Sequence, residues 1–443
     1  MLHEKARERV TNLERENRKL KEKVKALEEE NNFLKRTVEG VSFELEQVKI
    51  KLFGKKPTVN QLLRKKEKKN RDIFSYRRPL PEHAEARPHP VNECAHCHGI
   101  LKKKSIHTFF EEDIPLPIQK IVIKHEVEVG YCAVCRRQSS GYPIPSAKSV
   151  LGEQVKKYVC ILSIGSRLSH AQIQEHLKDI FDFSVSIGEI GNILETEAHN
   201  LRLEYQTLKQ SVLNQTGTHY DETGWKVQKE EHGKFAWVAT GTDNNDTVFS
   251  LGRSRGKGNI EDIGKGKVGI SDDYGAYRNA FAEHQLCFAH PHRKLRDVAE
   301  SSEIQEEKRE HCTDVYIQFS KLYKNIRQSL GNKVSPYLKR RFQTVFNQLS
   351  ESHALDPTPL AKIKVALRKN KEKYFTFLKH PGIPVDNNKA ERALRHLVIK
   401  RRTSFGSKTQ RGAETTSILA SVILSLKWND PENWFQKYLK LGV

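Results

Sequence analysis

Three acidic positions, far apart in the chain, have the residue types and settings that hold a hard divalent cation. Asp221 lies in the stretch Thr218 to Val227, whose centre reads His-Tyr-Asp-Glu-Thr-Gly-Trp. Asp272 closes the apolar run Val268-Gly-Ile-Ser-Asp-Asp-Tyr274, and Glu391 sits in the polar helix start Asp386-Asn-Asn-Lys-Ala-Glu-Arg392. Carboxylate oxygens suit magnesium, and two such ions roughly 3.5–4 Å apart can align an attacking water with a leaving phosphoester oxygen. A donor set of His or Cys would favour other metals. Three carboxylates gathered without cations resist ionisation, so such a pocket is poised to accept them.

These side chains need a sheet and a helix to bring them together. Asp221 reads as part of a first strand, followed by strands at Phe235–Thr240 and Thr247–Leu251 that make an antiparallel meander. Val268–Asp272 is the fourth strand and Gln285-Leu-Cys-Phe-Ala-His290 the fifth. Alternation along a strand puts Asp272 and Asp273 on opposite faces, so only one of them can face an ion. Two strand carboxylates and one from a later helix form the ligand set of a ribonuclease-H-like core. Residues 298–380 alternate charge and aliphatics with few turn signals, which predicts a helical insertion ahead of the Glu391 helix. Asn387 and Asn388 are placed to cap that helix. The glycine-rich Gly252–Gly258 segment reads as a basic loop, and the chain closes with apolar helices at Ile418–Trp428 and Trp434–Leu441.

Upstream, a seven-residue repeat runs from Val10. Val10, Asn17, Val24, Asn31, Val38, Leu45 and Leu52 occupy one heptad site, and Leu13, Leu20, Leu27, Leu34, Val41 and Val48 the other. Valine alternating with asparagine opposite leucine favours a parallel two-stranded coil, hence a homodimer or higher assembly; the alternative is a long amphipathic helix folded back on its own domain. A lysine-rich segment and a linker marked by Pro79, Pro81, Pro88 and Pro90 follow. Cys94-Ala-His-Cys97 and Cys132-Ala-Val-Cys135 bracket a segment alternating at Ile121, Ile123, Val127 and Val129. Four thiolates so spaced predict a structural zinc ribbon, with His96 and His98 each able to replace a ligand. Between 150 and 213 the pattern is helical, and Ala171–Ile180, a turn at Phe181–Phe183 and Ser184–Glu197 have helix-turn-helix spacing. A plain helical hairpin fits too, because Glu189, Glu195 and Glu197 make the second helix acidic.

The formal net charge of +22 over 443 residues is clustered. Residues 51–80 carry 11 Lys and Arg against two acids, and residues 389–411 carry eight against Glu391 alone. Such clusters point to a polyanion, with nucleic acid first, and Arg392, Arg395, Lys400, Arg401 and Arg402 would gather phosphates beside the metal. No apolar run approaches the roughly 20 residues of a membrane span, because Ser421 and Ser425 interrupt the longest. The charged N-terminus is unlike a signal peptide. Two Cys-x-x-Cys pairs and three scattered cysteines fit a reducing, cytoplasmic setting.

The order of zipper, four-cysteine ribbon, Tyr-Asp-Glu-Thr-Gly-Trp, Ser-Asp-Asp-Tyr-Gly-Ala-Tyr, Cys-Phe-Ala-His and Asp-Asn-Asn-Lys-Ala-Glu-Arg resembles the IS66 family of bacterial insertion-sequence transposases. The resemblance implies a DDE enzyme whose triad falls on Asp221, Asp272 and Glu391, with alignment of Asp-x-Tyr favouring Asp272 over Asp273. It gives Cys287 and His290 a supporting role through a Cys-x-x-His signature, while His292 stands where the family more often has arginine. The expected fold is multidomain α/β: a coiled coil at 1–53, a basic segment and linker at 54–91, a zinc ribbon at 92–145 and a helix-turn-helix-like domain at 146–213. A ribonuclease-H-like catalytic domain follows at 214–411 with its insertion at 298–380, then C-terminal helices at 412–443. The implied activity is magnesium-dependent cleavage and strand transfer on terminal inverted repeats and target DNA, with manganese as a substitute ion. Companion proteins of the same element and a nucleoid-associated location are implied as well. The alternative is a catalytically silent DNA-binding regulator on the same scaffold.

Overall fold

The computed structural model describes residues 2–53 (side chains from 15 to 52), scattered positions between 118 and 149, and 150–442 apart from 229–233 and 332–333. Helix α1 is Leu2–Phe53; strands β1, Val129–Tyr131, and β2, Gln138–Ser140, form a hairpin. Next come α2, Glu153–Cys160, which runs into a π-helical turn at Ile161–Gly165, then α3, His170–Phe181, α4, Ile187–Asn200, and α5, Arg202–Asn214. The main sheet comprises β3, Thr218–Gly224, β4, Phe235–Gly241, β5, Thr247–Arg253, β6, Val268–Ser271, and β7, Glu283–Leu286, with a short α6, Gly258–Ile263, between β5 and β6. Helices α7, Ala289–Ala299, α8, Glu306–Ser329, α9, Pro336–Ser350, α10, Thr358–Lys369, and α11, Lys371–Tyr374, fill the interval before α12, Asn388–Ser404. The chain closes with α13, Gln410–Asn429, and α14, Trp434–Leu439.

The sheet order is β5-β4-β3-β6-β7, antiparallel from β3 to β5 and parallel from β3 to β7. This is a mixed α/β architecture. Both faces of the sheet are covered, so β4 is buried nearly throughout instead of alternating between core and water. Its residues divide between two cores: Ala236 and Val238 pack with Phe249, Leu397 and Ile423, while Trp237 and Ala239 pack with Tyr220, Tyr277 and Phe281. In β6, Gly269 leaves room for the Phe281 ring, which lies where a Cβ would stand. The first core also takes in Ile173, Leu177, Ile190 and Leu194 from α3 and α4 and Leu419 and Leu424 from α13. One continuous core therefore crosses the boundaries expected at 213/214 and 411/412.

The serines that interrupt the last apolar run protect the sheet edge. Thr247, Phe249 and Leu251 of β5 donate their amides to the hydroxyls of Ser425, Ser421 and Ser417 at 2.9, 2.8 and 2.9 Å. Four residues of helix rise about 6 Å and two residues of strand about 6.8 Å, so the spacings match and an otherwise unpaired edge is satisfied.

Two strand expectations need correction. The fifth strand stops at Leu286: the Cys287 amide makes one last ladder bond to the Ser271 carbonyl at 2.9 Å, and the chain then turns into α7. Pro291 falls in the first turn of that helix, where a missing amide costs no hydrogen bond. The alternating stretch around Ile121 and Ile123 is not a strand; both side chains are exposed and only Val129–Tyr131 pairs. Cys94, Cys97 and Cys132 lie outside the described residues, as do the basic segment and the proline linker. Cys135 is exposed in the β1–β2 connection.

Helix α1 does two things at once. Its outer face displays Leu20, Val24, Leu27, Leu34, Val38, Val41, Leu45 and Val48, each about half exposed or more. Its other face docks on the insertion: Glu39 pairs with Lys308 at 3.0 Å and accepts the Thr358 amide at the start of α10 at 3.3 Å. Glu46 accepts from the Ser302 amide at 3.1 Å, and Phe43 packs on the insertion core. Carboxylates are favoured at helix starts, which is where Glu39 sits relative to α10.

Candidate active site

Asp221 lies in β3 and Asp272 one residue beyond β6, its parallel neighbour. His219 pairs with Ile270 across that ladder, so two residues further on the two aspartates emerge side by side from adjacent strands on the same face. Glu391, in the first turn of α12, closes the third side. The His290 Nε2 atom lies 3.9 Å from Asp272 Oδ2 and 3.8 Å from Glu391 Oε1, so the two carboxylates face each other across one imidazole. Burial, then Glu222, Asp272 and Glu391, push the Asp221 carboxyl up to about 8. The three acids are thus in one electrostatic neighbourhood.

Asp273 turns away, toward Arg278 at 3.3 Å and the Asn370 amide group at 3.2 Å. Glu222, on the face opposite Asp221, accepts from Tyr277 at 2.5 Å and pairs with Arg255 at 3.0 Å. Arg255 also lies over the Tyr274 ring, 4.1 Å from its centroid, so the basic Gly252–Gly258 loop is braced beside the acids.

Arg293 is the neighbour that sequence reasoning missed. Its guanidinium grips Glu391 with both nitrogens, Nη2 to Oε1 at 2.6 Å and Nη1 to Oε2 at 3.1 Å. This fork is the strong, geometrically specific form of a charge-assisted hydrogen bond. Nη2 also donates to His290 Nε2 at 3.2 Å. Burial holds His290 below the usual imidazole range. Helical spacing from His290 to Arg293, three residues on one face, was the available signal.

Three contacts set α12 against the sheet. Asn387 does not cap its helix; its side chain bridges to β3, with Oδ1 facing His219 Nδ1 at 3.0 Å and Nδ2 donating to the Tyr220 carbonyl at 2.7 Å. The Asn387 amide donates to the buried Cys287 Sγ at 3.1 Å. Burial pushes the His219 imidazole down to about 4, so it stays neutral in this clamp.

The expected phosphate-binding cations separate into two groups. Arg392, Arg395 and Arg402 are exposed along one stripe of α12 that starts beside Glu391. Lys400 is a correction: it is buried, its ammonium donates to the Ser163 carbonyl at 2.7 Å and the Ser163 hydroxyl at 3.2 Å, and burial lowers it to about 8. It satisfies the loosened carbonyls of the π turn and cannot face a phosphate. Arg401 is half-buried and donates to the Gly224 carbonyl at the end of β3.

The acids supply only hard oxygen donors, and burial together with the neighbouring carboxylates raises the Asp221 carboxyl. These residues fit a divalent cation of the magnesium type. As they stand, no cluster of three or more Asp, Glu, His or Cys among the described residues is close enough to hold an ion, and Arg293 engages Glu391.

An uncharacterized protein of Sinorhizobium fredii, y4jO, is 24% identical over 174 residues, 39% of this chain and 52% of that protein. The chain thus spans about half the length of this curated relative. A family model described as Transposase IS66 family matches residues 149–415. That match covers well over half of the chain and includes the strands and the helix that carry all three carboxylates; the chain belongs to the IS66 family of transposases.

Proposed function

We propose that this transposase cuts and joins DNA at a two-cation site held by Asp221, Asp272 and Glu391 on a ribonuclease-H-like sheet. The observation that carries the reading is the convergence of the three acids: Asp272 and Glu391 face one imidazole, and Asp221 feels both charges. Magnesium, when bound there, would lower the pKa of water and neutralise charge building on the phosphoryl oxygens. The chain's own residues do the rest. Asn387 and Cys287 hold α12 against β3 and β6, so the acids keep their mutual placement. Arg293 orients Glu391 through its two-pronged contact, and its guanidinium would offer positive charge to a phosphate drawn to the acids. Arg392, Arg395 and Arg402 line the approach and position the DNA backbone without reading bases.

The substrates in this reading are the terminal inverted repeats of the element and a target duplex. The exposed heptad stripe of α1 supports a parallel homodimer, since an aliphatic seam of this length in water calls for a partner helix. Docking through Glu39, Phe43 and Glu46 would fix that coil to the insertion of each copy. Zinc on Cys94, Cys97, Cys132 and Cys135 belongs to the same proposal. No described helix is long and apolar enough to cross a membrane.

Cleavage of end-sequence DNA in magnesium tests the reading. The parent nicks the repeat, and Asp221→Ala, Asp272→Ala and Glu391→Ala each abolish nicking while still retarding the DNA. Full activity in any one variant removes that residue from the site. Footprinting by the parent with no nicking in magnesium or manganese would favour the silent regulator instead.

A further inference from the structure

Among the described residues four non-glycine side chains have positive φ: Arg167 at 66°, Asp182 at 52°, Asn279 at 57° and Phe405 at 55°. Asp and Asn tolerate that region, whereas for Arg and Phe it is unfavourable. The end of α12 is tied to the first of these, because Thr403 donates its hydroxyl to the Arg167 carbonyl at 2.7 Å. A helix that needed only a stop would place glycine at the left-handed position. Here Phe405 takes it, with its side chain 72% exposed, and Gly406 follows at φ 99°.

The loop is locked to the catalytic sheet. Gly406 passes so close to the Lys226 carbonyl that a Cβ would overlap it, and Ser407 donates its amide to the same carbonyl at 2.9 Å. Val227 and Ser407 form a parallel bridge, and the Trp225 indole donates to the Ser407 hydroxyl at 3.1 Å. The aromatic ring is therefore held in water by a strained, braced turn, and strain of this kind gathers at sites of function. Lys226, Arg402 and Lys408, close to it along the chain or across the Gly406–Lys226 contact, are exposed, and Arg402 belongs to the stripe that begins beside Glu391.

Resting on the transposase reading above, we propose that Phe405 is a wedge that packs against a nucleobase of the bound end DNA. An apolar ring set among phosphate-seeking cations has the chemistry of a side chain inserted at a base step. From Glu391 to Phe405 is fourteen positions along α12, roughly 21 Å at the helical rise. At about 3.4 Å per step, the wedged step lies about six base pairs from the scissile phosphate.

The test uses the full chain and duplex DNA of the element's own terminal repeat, with a fluorescent adenine analogue placed at successive positions. Phe405→Ala should abolish the protein-dependent change of fluorescence at that step and weaken binding about fivefold or more. Phe405→Trp should restore both, which excludes misfolding as the cause. An unchanged fluorescence profile in Phe405→Ala overturns the inference while leaving the transposase reading intact. A change in particle mass without any change in the base signal also overturns it, by assigning the ring to contact between copies. Failure of the parent to retard the duplex overturns both.

Discussion

Asp221→Asn should make the cation-free protein more stable, by an amount that depends on pH. In the folded chain Asp221 keeps its proton up to about 8, whereas in the unfolded chain it ionises near 3.8. Between those values the folded state binds more protons, so stability falls as pH rises through the interval and is level above it. Asparagine has no such dependence. The interval, at about 1.4 kcal/mol per pH unit, bounds the penalty at about 6 kcal/mol. Because the side chain keeps some contact with water, we expect about 2 kcal/mol in practice. Thermal unfolding in chelator should show the two proteins melting together near about pH 4 and the variant melting about 2 °C higher near about pH 9. Magnesium at about a hundred times its dissociation constant should return about 2.7 kcal/mol to the parent and much less to the variant. Parallel melting curves from about pH 4 to about pH 9 would refute the view that Asp221 is buried among carboxylates.

The remaining expectations separate positioning from contact. Arg293→Ala should raise the apparent affinity for manganese about tenfold, read as the melting-temperature midpoint of a titration, because the guanidinium no longer competes for Glu391. Asn387→Leu strands His219 Nδ1 and the Tyr220 carbonyl without partners, and should cost about 2–4 kcal/mol in denaturant unfolding. Lys400→Met should destabilise by about 2 kcal/mol yet leave the salt dependence of DNA binding unchanged, while Arg402→Ala should reduce that slope by about one. Leu27→Glu should convert the assembly to monomers in sedimentation, since a charge facing its twin in the seam is not tolerated.

The sequence was most legible where one residue type has one use. An acid just past an apolar strand, as Asp272 is, or within a strand of the core sheet, as Asp221 is, has few structural reasons to be there, and apolar runs bounded by turns gave the five strands to within a few residues. Side chains whose partners are supplied by tertiary contact were not legible. Asn387 read as a cap because asparagine before a helix usually is one, yet His219 and Tyr220, more than 160 residues away, take its hydrogen bonds. Ser417, Ser421 and Ser425 read as breaks in an apolar run until a strand edge lay across them. Lys400 was misread although a signal was present: it shares its helical phase with Ala393 and Leu397, both buried.

The placements along α12 have a mechanical consequence. Its first turn carries Glu391, Asn387 just before it grips β3, and its last turn ends in the braced Phe405 loop. Between them His396 Nε2 meets the Ile164 carbonyl at 2.6 Å and Lys400 holds Ser163, so the π turn below α3 is fastened to the same rod. A π turn exposes carbonyls that an α-helix would satisfy, and two cationic or donor side chains from α12 are a costly way to fill them unless the joint must be rigid. DNA held by α3, α4 or the Phe405 loop would therefore bear on Glu391 through one continuous helix. If those surfaces grip DNA as proposed, the placement of Glu391 is coupled to them.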